Sequence, residues 1–242
     1  MSDSISSAVG VLKKSKKTIA LTGAGVSTES GIPDFRSRDG LWSRFDPMEY
    51  ATLGAFKKDP AKVWGMLTEL IAIVDAKANA GHFAMAEMEK TGILAGIITQ
   101  NIDSLHQKAG SMNVVEFHGS LNSFTCLHCE SSYPLDSILK QDMLPTCSQC
   151  QALLKPDIVF FDEQIPSSAI SQTQDLVHGA DVLIVAGTSC QVVPAATIPS
   201  SVRAQGGKII EINTEPVFGG GPAIVLEGKF SEIMPQLLEA LL

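Results

Sequence analysis

Apolar positions along this chain follow two rhythms, one of helices and one of buried strands. Ile5, Val9 and Leu12 fall on one helical face. Thr18-Ile19-Ala20-Leu21-Thr22 then reads as a buried strand running into Gly23-Ala24-Gly25. Val63, Met66, Leu67, Leu70, Ile73 and Val74 lie at i, i+3, i+4, i+7, i+10 and i+11, a strong helical spacing with Pro60 near its start. A helix over 82–90 leads to a strand over 93–99, and a short strand follows at 114–117. Beyond these come a helix at 166–178, a strand at 181–186, a helix at 195–204, a strand at 208–212 and a closing helix at 230–241.

The strands are uniformly apolar, as strands buried on both faces must be. Their alternation with helices predicts an α/β fold with a doubly wound parallel sheet. Two regions break the rhythm: 36–79 is mostly helical, and 119–155 is cysteine-bearing and short-stranded. Both read as insertions that together form a smaller domain. Residues 1–35, 80–118 and 156–242 remain for the sheet domain.

Composition narrows the class. Of 242 residues, 45% are hydrophobic and 18% charged, a globular balance. The apolar runs are short and broken, so no membrane association is expected. No signal-peptide core follows Met1-Ser2-Asp3-Ser4, which makes a cytoplasmic location the expectation. A net charge of −8 argues against nucleic acid and for basic partners. The cluster Lys13-Lys14-Ser15-Lys16-Lys17 is expected to complement the dipole of the first helix.

Four of five cysteines come in pairs, Cys126-x-x-Cys129 and Cys147-x-x-Cys150, separated by seventeen residues. Two such turns aim four thiolates at one point and predict a closed tetrahedral site for one Zn2+ per chain. With no position open to water, that metal is structural. His128 lies between two ligands as a bystander, and Cys190 packs as a small apolar residue.

Other segments carry candidate chemistry. Gly23-Ala24-Gly25-Val26-Ser27-Thr28-Glu29-Ser30-Gly31 follows a strand, as a phosphate-cradling turn before a helix N-terminus does. Thr28 stands where a dinucleotide fingerprint has its third glycine, and a plain strand-to-helix turn would look similar. In Ile32-Pro33-Asp34-Phe35-Arg36-Ser37, an aromatic and an arginine either cover a cofactor or form a surface turn with a packed Phe. Thr99-Gln100-Asn101-Ile102-Asp103 sits at a strand's carboxyl end, where open α/β sheets place ligands. Asp103 also fits as the N-cap of a helix beginning at Ser104, and both roles can hold. Glu116-Phe117-His118-Gly119 offers an imidazole suited to general-base work, while His82, His106 and His178 read as ordinary helical residues. Gly187-Thr188-Ser189-Cys190 is no nucleophile elbow, because Gln191 occupies the required second glycine position.

In this order the segments resemble the sirtuin family over nearly the whole chain. The carriers are the run from Gly23 to Arg36, Thr99 to His106, Glu116 to Gly119 and the two cysteine pairs. Lys155-Pro156-Asp157-Ile158-Val159-Phe160-Phe161, Gly187-Thr188-Ser189 and Ile212-Asn213 complete the set. The resemblance implies a Rossmann-like domain and a zinc-bearing small domain, with NAD and an acylated lysine meeting between them. It implies an NAD-dependent protein-lysine deacetylase that releases nicotinamide and O-acetyl-ADP-ribose. Gly23, Ala24 and Ser189 should then hold the pyrophosphate, Asn213 the adenosine ribose, and Phe35 and Arg36 the cover. Gln100, Asn101, Ile102 and Asp103 should position the nicotinamide ribose and amide. Thr28, Gly187 and Thr188 join the cofactor contacts, and His118 with Asn101 carries the chemistry. Val159, Phe160 and Phe161 should pair with the backbone of the substrate peptide.

Two departures stand out. Asp162 precedes Glu163 where the family usually has glycine, an added carboxylate that predicts a preference for basic flanks around the target lysine. Leu67 and Leu70 occupy the positions of the Tyr-x-x-Arg pair that binds acidic acyl groups in one branch, so neutral acyl groups are expected. Two other functions compete: a mono-ADP-ribosyltransferase, which shares cofactor and first step, and a zinc-ribbon nucleic-acid module, which the net acidity disfavours. A dehydrogenase is weaker still, lacking the third glycine.

Overall fold

The computed structural model describes residues 2–38, 40–141, 144–219, 221 and 223–242. Helix α1 (Ser2–Leu12) leads to β1 (Thr18–Thr22), and two 3-10 turns, Ala24–Val26 and Thr28–Ser30, follow. The helical excursion holds α2 (Pro47–Tyr50), α3 (Leu53–Lys58) and α4 (Pro60–Ile71). Next come α5 (Ala80–Lys90), β2 (Leu94–Thr99), α6 (Leu105–Lys108) and β3 (Val114–Glu116). The cysteine-bearing excursion comprises β4 (Gly119–Cys126), β5 (Ser132–Pro134), α7 (Leu135–Ile138) and β6 (Leu154–Ile158). The chain closes with α8 (Ser167–Val177), β7 (Val182–Ala186), α9 (Ile198–Ala204), β8 (Lys208–Asn213), β9 (Ile224–Glu227) and α10 (Phe230–Leu241).

All pairings in the large sheet are parallel, in the order β3-β2-β1-β7-β8-β9. The order reverses between β1 and β7, so the chain leaves these two strands in opposite directions and a crevice opens above their carboxyl ends. Every residue of β1 and β7 is buried, because helices cover both faces. Ala20 and Ile184 face a core shared with α1, α5 and α10, while Ile19, Leu21, Leu183 and Val185 face one shared with α8 and α9. That double burial is the physical reason for the unalternating apolar runs.

A separate apolar core joins the two excursions. Helix α4 starts where Asp59 accepts from Lys62 N with Pro60 in the first turn, and it buries Val63, Trp64, Met66, Leu67 and Leu70. Trp64 stacks on Phe124 of β4 at 5.9 Å. Strand β6 pairs with β4 as far as Ile158, three residues beyond the boundary expected at 155. The helix expected to continue through Ile73 and Val74 stops at Ile71 and passes into a 3-10 turn, Ala72–Asp75; those two side chains lie outside the described ones.

Three further expectations are corrected. No α-helix follows the glycine-rich turn, only the two 3-10 turns. Lys17 serves another helix than the expected one: its Nζ donates to the carbonyls of Asp175 and His178, both at 2.8 Å, at the end of α8. Strand β9 has no counterpart among the predicted elements; it is four residues long and follows a loop rich in glycine. Among the described residues, no helix is long and apolar enough to cross a membrane.

The loops after β1 and β7 meet backbone to backbone. Gly25 N donates to Gly187 O at 2.9 Å, and Gly187 sits at φ 58°. A Cβ on Gly187 would stand 2.3 Å from Val26 N, and one on Gly25 would stand 2.8 Å from Gly187 Cα. These glycines therefore permit loop-on-loop contact, a role distinct from the phosphate approach expected of the turn. Gly187→Ala should destabilise the protein by at least the roughly 1–3 kcal/mol of a strained backbone residue. Equilibrium urea unfolding checks this; an unchanged midpoint would contradict the account.

Candidate functional site

A cleft of about 990 Å³ lies above the carboxyl ends of β1, β7 and β8, between the sheet and the smaller core. All of the cofactor and peptide residues expected from the sequence line it except Asp103, which borders an adjoining chamber of about 220 Å³. Residues from both ends of the chain thus converge on one space.

The turn after β1 presents unspent donors. Among the described hydrogen bonds, the amides of Ala24 and Ser189 donate to nothing in the protein, whereas those of Gly23, Gly25 and Thr188 are paired. Arg36 reaches over the same mouth, its Nη1 donating to Ser189 Oγ at 3.0 Å and Gln191 Oε1 at 2.8 Å. Free amides beside a guanidinium are a fitting cradle for a pyrophosphate. Thr28 lines the same wall and turns its hydroxyl onto Gly25 O at 3.1 Å.

At the end of β2, side chains brace one another. Gln100 Nε2 donates to Thr188 Oγ1 at 3.0 Å, tying the β2 end to the β7 end. Asn101 Nδ2 donates to Ser27 Oγ at 3.1 Å, and Ser27 Oγ donates to Asp103 Oδ2 at 2.7 Å. Helix α6 begins at Leu105 with Ser104 as its N-cap, one residue later than expected. Asp103 Oδ1 accepts from Leu105 N at 2.9 Å, so this buried carboxylate serves the first amide of α6 from the position before the cap and also orients Ser27. Ser27 is fully buried and was not singled out by the sequence; only the fold brings it against Asn101. Asn213 is likewise engaged, pairing with Thr188 N at 3.2 Å and Glu211 Oε1 at 2.7 Å. Glu211, wholly buried, also accepts from Phe218 N at 2.8 Å. Asn213 thus clamps two loops, and Thr214, Glu215 and Val217 complete the wall at that end.

His118 stands just beyond β3. Its Nδ1 lies 3.2 Å from Gln100 O, so the tautomer donating there leaves Nε2 with a lone pair. Burial lowers its pKa from the ordinary 6.5, and the bond to Gln100 opposes this only in part. The imidazole is neutral at pH 7, as a base must be.

His82 and His106, read from sequence as ordinary, form a buried pair with rings 4.8 Å apart under the site. His106 Nε2 meets Thr22 Oγ1 at 3.0 Å, and His82 Nδ1 accepts from Asn79 N at 3.3 Å in the capping box of α5. Burial pushes His82 down to about 4 and His106 well below 6.5.

The segment Val159–Phe161, expected from the sequence to meet the peptide, runs on from β6. Val159 N donates to His118 O, Phe160 N to Glu163 Oε2 and Phe161 N to Ala51 O, each at 2.9 Å. Among the described residues, the carbonyls of Val159 and Phe161 accept no hydrogen bond. Lys155 and Glu163 pair at 2.9 Å, largely buried, with the ammonium 4.7 Å from the Phe160 ring centroid. An aromatic row crosses the mouth: Phe35 lies 5.2 Å from Trp42, and Trp42 lies 6.0 Å from Phe161. On α4 the cleft-facing residues are Met66 and Leu70, whereas Leu67, expected beside Leu70, is fully buried outside the lining.

Away from the cleft, the sulfurs of Cys126, Cys129, Cys147 and Cys150 lie within 4.8 Å of one another. The two turns match: Cys126 Sγ accepts from His128 N and Cys147 Sγ from Gln149 N, both at 3.4 Å. Each turn ends on a left-handed residue, Glu130 at φ 59° and Gln151 at φ 63°. Tyr133 Oη lies 3.1 Å from Cys147 Sγ, placed to donate to a thiolate. The donor set fits a structural zinc, and His128 is exposed.

Comparison with known proteins decides the family. Residues 23–194 match the model described as the Sir2 family. The chain belongs to the Sir2 family. It is 45% identical over 229 residues, 94% of each chain, to NAD-dependent protein deacylase 1 of Archaeoglobus fulgidus. A crystal structure of a Sir2 homolog–NAD complex superposes with TM-score 0.91 at 44% identity, covering 98% of this chain and 93% of that one. A Sir2 structure with deacetylated p53 peptide and 3'-O-acetyl ADP ribose matches with TM-score 0.91 at 32% identity, covering 97% of each. The Rossmann-like sheet with a smaller cysteine-bearing module is thus the Sir2 architecture.

Purified protein should carry one zinc per chain by elemental analysis, and Cys147→Ser should lower both zinc content and thermal midpoint. Full metal-free stability would contradict the site. The buried imidazoles set a pH dependence. The unfolded chain binds a proton at each near pH 6.5, the folded chain only lower, so stability is full above 6.5 and falls as pH drops toward 4. Thermal midpoints between pH 7.5 and 4.5 should decline accordingly, less steeply in His106→Gln; equal slopes would refute the assignment.

Proposed function

We propose that this chain is an NAD-dependent protein-lysine deacetylase, releasing nicotinamide and O-acetyl-ADP-ribose from acyl-lysine peptides or proteins. The observation that carries the reading is the neutral imidazole of His118, pinned to Gln100 O inside the cleft that also holds the Ala24 and Ser189 amides. The names of Sir2 relatives as NAD-dependent deacylases support it. When bound, NAD supplies an anomeric carbon whose leaving group is nicotinamide, so an otherwise unreactive amide oxygen can displace it.

The chain's own residues do the rest. Gly23, Ala24, Thr28, Gly187 and Ser189 line the pyrophosphate end with Arg36 across from them, and Asn213 and Thr188 fix the adenosine end. Gln100, Asn101, Ile102 and Asp103 shape the nicotinamide end, where Ser27 locks the Asn101 amide. Phe35 closes the mouth through Trp42. His118 Nε2 takes the proton of a sugar hydroxyl, and the Nδ1 bond to Gln100 O keeps the tautomer correct while it does so. The Val159 and Phe161 carbonyls accept N–H groups of the peptide, with Phe160 as the floor beneath.

This reading assigns cofactor binding to 1–35, 80–118 and 156–242, and the small domain to 36–79 and 119–155. A cytoplasmic setting suits four zinc-binding thiolates. Met66 and Leu70 make the acyl end apolar, and Lys155 is spent on Glu163. Acetyl is therefore preferred over succinyl. A preference for basic flanks now rests on the net charge of −8, since Asp162 is otherwise engaged.

Mass spectrometry of an acetyl-lysine peptide incubated with NAD should show loss of the acetyl mass with one nicotinamide released per turnover. A gain of ADP-ribose mass would favour the transferase, and no nicotinamide would sink both. His118→Ala should lower kcat about 10²–10⁴-fold. In the unaltered protein the rate should fall with decreasing pH at a midpoint below 6.5, the direction burial gives His118. A midpoint at or above 6.5 would count against His118 as base.

A further inference from the structure

Asp162 follows the peptide segment directly, and its carboxylate turns away from the cleft. Oδ1 accepts from Leu53 N, and Oδ2 accepts from Gly54 N at 3.0 Å, the first two amides of α3. The third, Ala55 N, goes to Thr52 Oγ1 at 2.9 Å. A carboxylate more than a hundred positions along the chain thus completes the start of this helix. One residue earlier, Phe161 N donates to Ala51 O at 2.9 Å, so consecutive residues grip the same turn.

Partial burial acts to raise the Asp162 carboxyl, but the bonds from Gly54 and Leu53 outweigh it and, with Lys57 nearby, hold it below 3.8. The residue itself is exposed, yet both carboxylate oxygens are engaged by backbone amides. On the other side Glu163 takes Phe160 N and pairs with Lys155. The segment between is held from two directions, and the small domain's helical excursion supplies one of them.

We propose that Asp162 is a positioning residue: its carboxylate fastens the peptide platform Val159–Phe161 to the N-terminus of α3 and so sets where the acyl-lysine peptide docks, without attracting charged flanks. This rests on the peptide role given to Val159–Phe161 above. A glycine at this place would leave Leu53 and Gly54 N–H without that partner and the platform held to this turn only by Phe161 N on Ala51 O.

The test uses the full chain with acetyl-lysine peptides flanked by Arg or by Glu, read as KM and, independently of turnover, as Kd by fluorescence anisotropy. Asp162→Ala should weaken both peptides equally, about ten-fold, with kcat and the KM for NAD within two-fold of the unaltered protein. Asp162→Asn, which keeps one acceptor oxygen, should fall between. Thr52→Ala removes the other cap of α3 without touching the platform; it should lower the thermal midpoint and leave peptide affinity in place. A loss confined to the Arg-flanked peptide would replace positioning with charge recognition. An unmoved affinity in Asp162→Ala, or an equal loss in Thr52→Ala, would overturn the inference. Peptide that binds but never turns over would count against the proposed function and leave the affinities to decide the clasp.

Discussion

Where β1 and β7 end, two backbones touch with no side chain between them. The Gly25–Gly187 contact closes the floor of the crevice that the reversal of strand order opens. Its consequence is electrostatic as well as steric. With Gly23 and Gly25 paired to the β7 end, the amides of Ala24 and Ser189 on the cleft wall have no partner among the described hydrogen bonds. An anion bound there meets donors already in place, which is how preorganised sites avoid reorganisation at the moment of reaction.

Carboxylates are the recurring joints above that floor. Asp103, Asp162 and Glu211 each take backbone, hydroxyl or side-chain amide protons rather than a cation. Asp181 does the same beneath the sheet, accepting from Ser15 Oγ and the amides of Lys16 and Lys17. An acid satisfied by directed N–H or O–H groups ties down a loop without needing a partner charge, whether buried like Asp103 and Glu211 or exposed like Asp162. In a chain of net charge −8, part of the acidity is therefore mortar.

Much of this was legible in the chain itself. The unalternating strands at 18–22 and 182–186 carry their double burial on their face, and two Cys-x-x-Cys pairs carry their geometry in their spacing. What escaped depends on long-range packing. Ser27 gains meaning only beside Asn101 and Asp103, and the His82–His106 pair exists only because α5 and α6 meet. Strand β9 is too short for periodicity to register and is specified by its neighbour β8. Met66 was not singled out: Leu67 and Leu70 share a face of α4, and only the packing shows that Met66 also meets the cleft while Leu67 is sealed in the small core. Asp162 was read as an added carboxylate near the peptide entrance; that it also accepts from Leu53 and Gly54 could not be read from the sequence, because more than a hundred positions separate them.

The aromatic row at the mouth gives the molecule its own optical sensor. The chain has two tryptophans; Trp64 is sealed in the small core at 2% exposure, while Trp42 sits between Phe35 and Phe161 at the mouth of the cleft. A rearrangement of Phe35 or Phe161 would alter the surroundings of one indole directly, while the other stays enclosed in its core. If ligands move these rings, intrinsic emission would report it in real time, with no label attached.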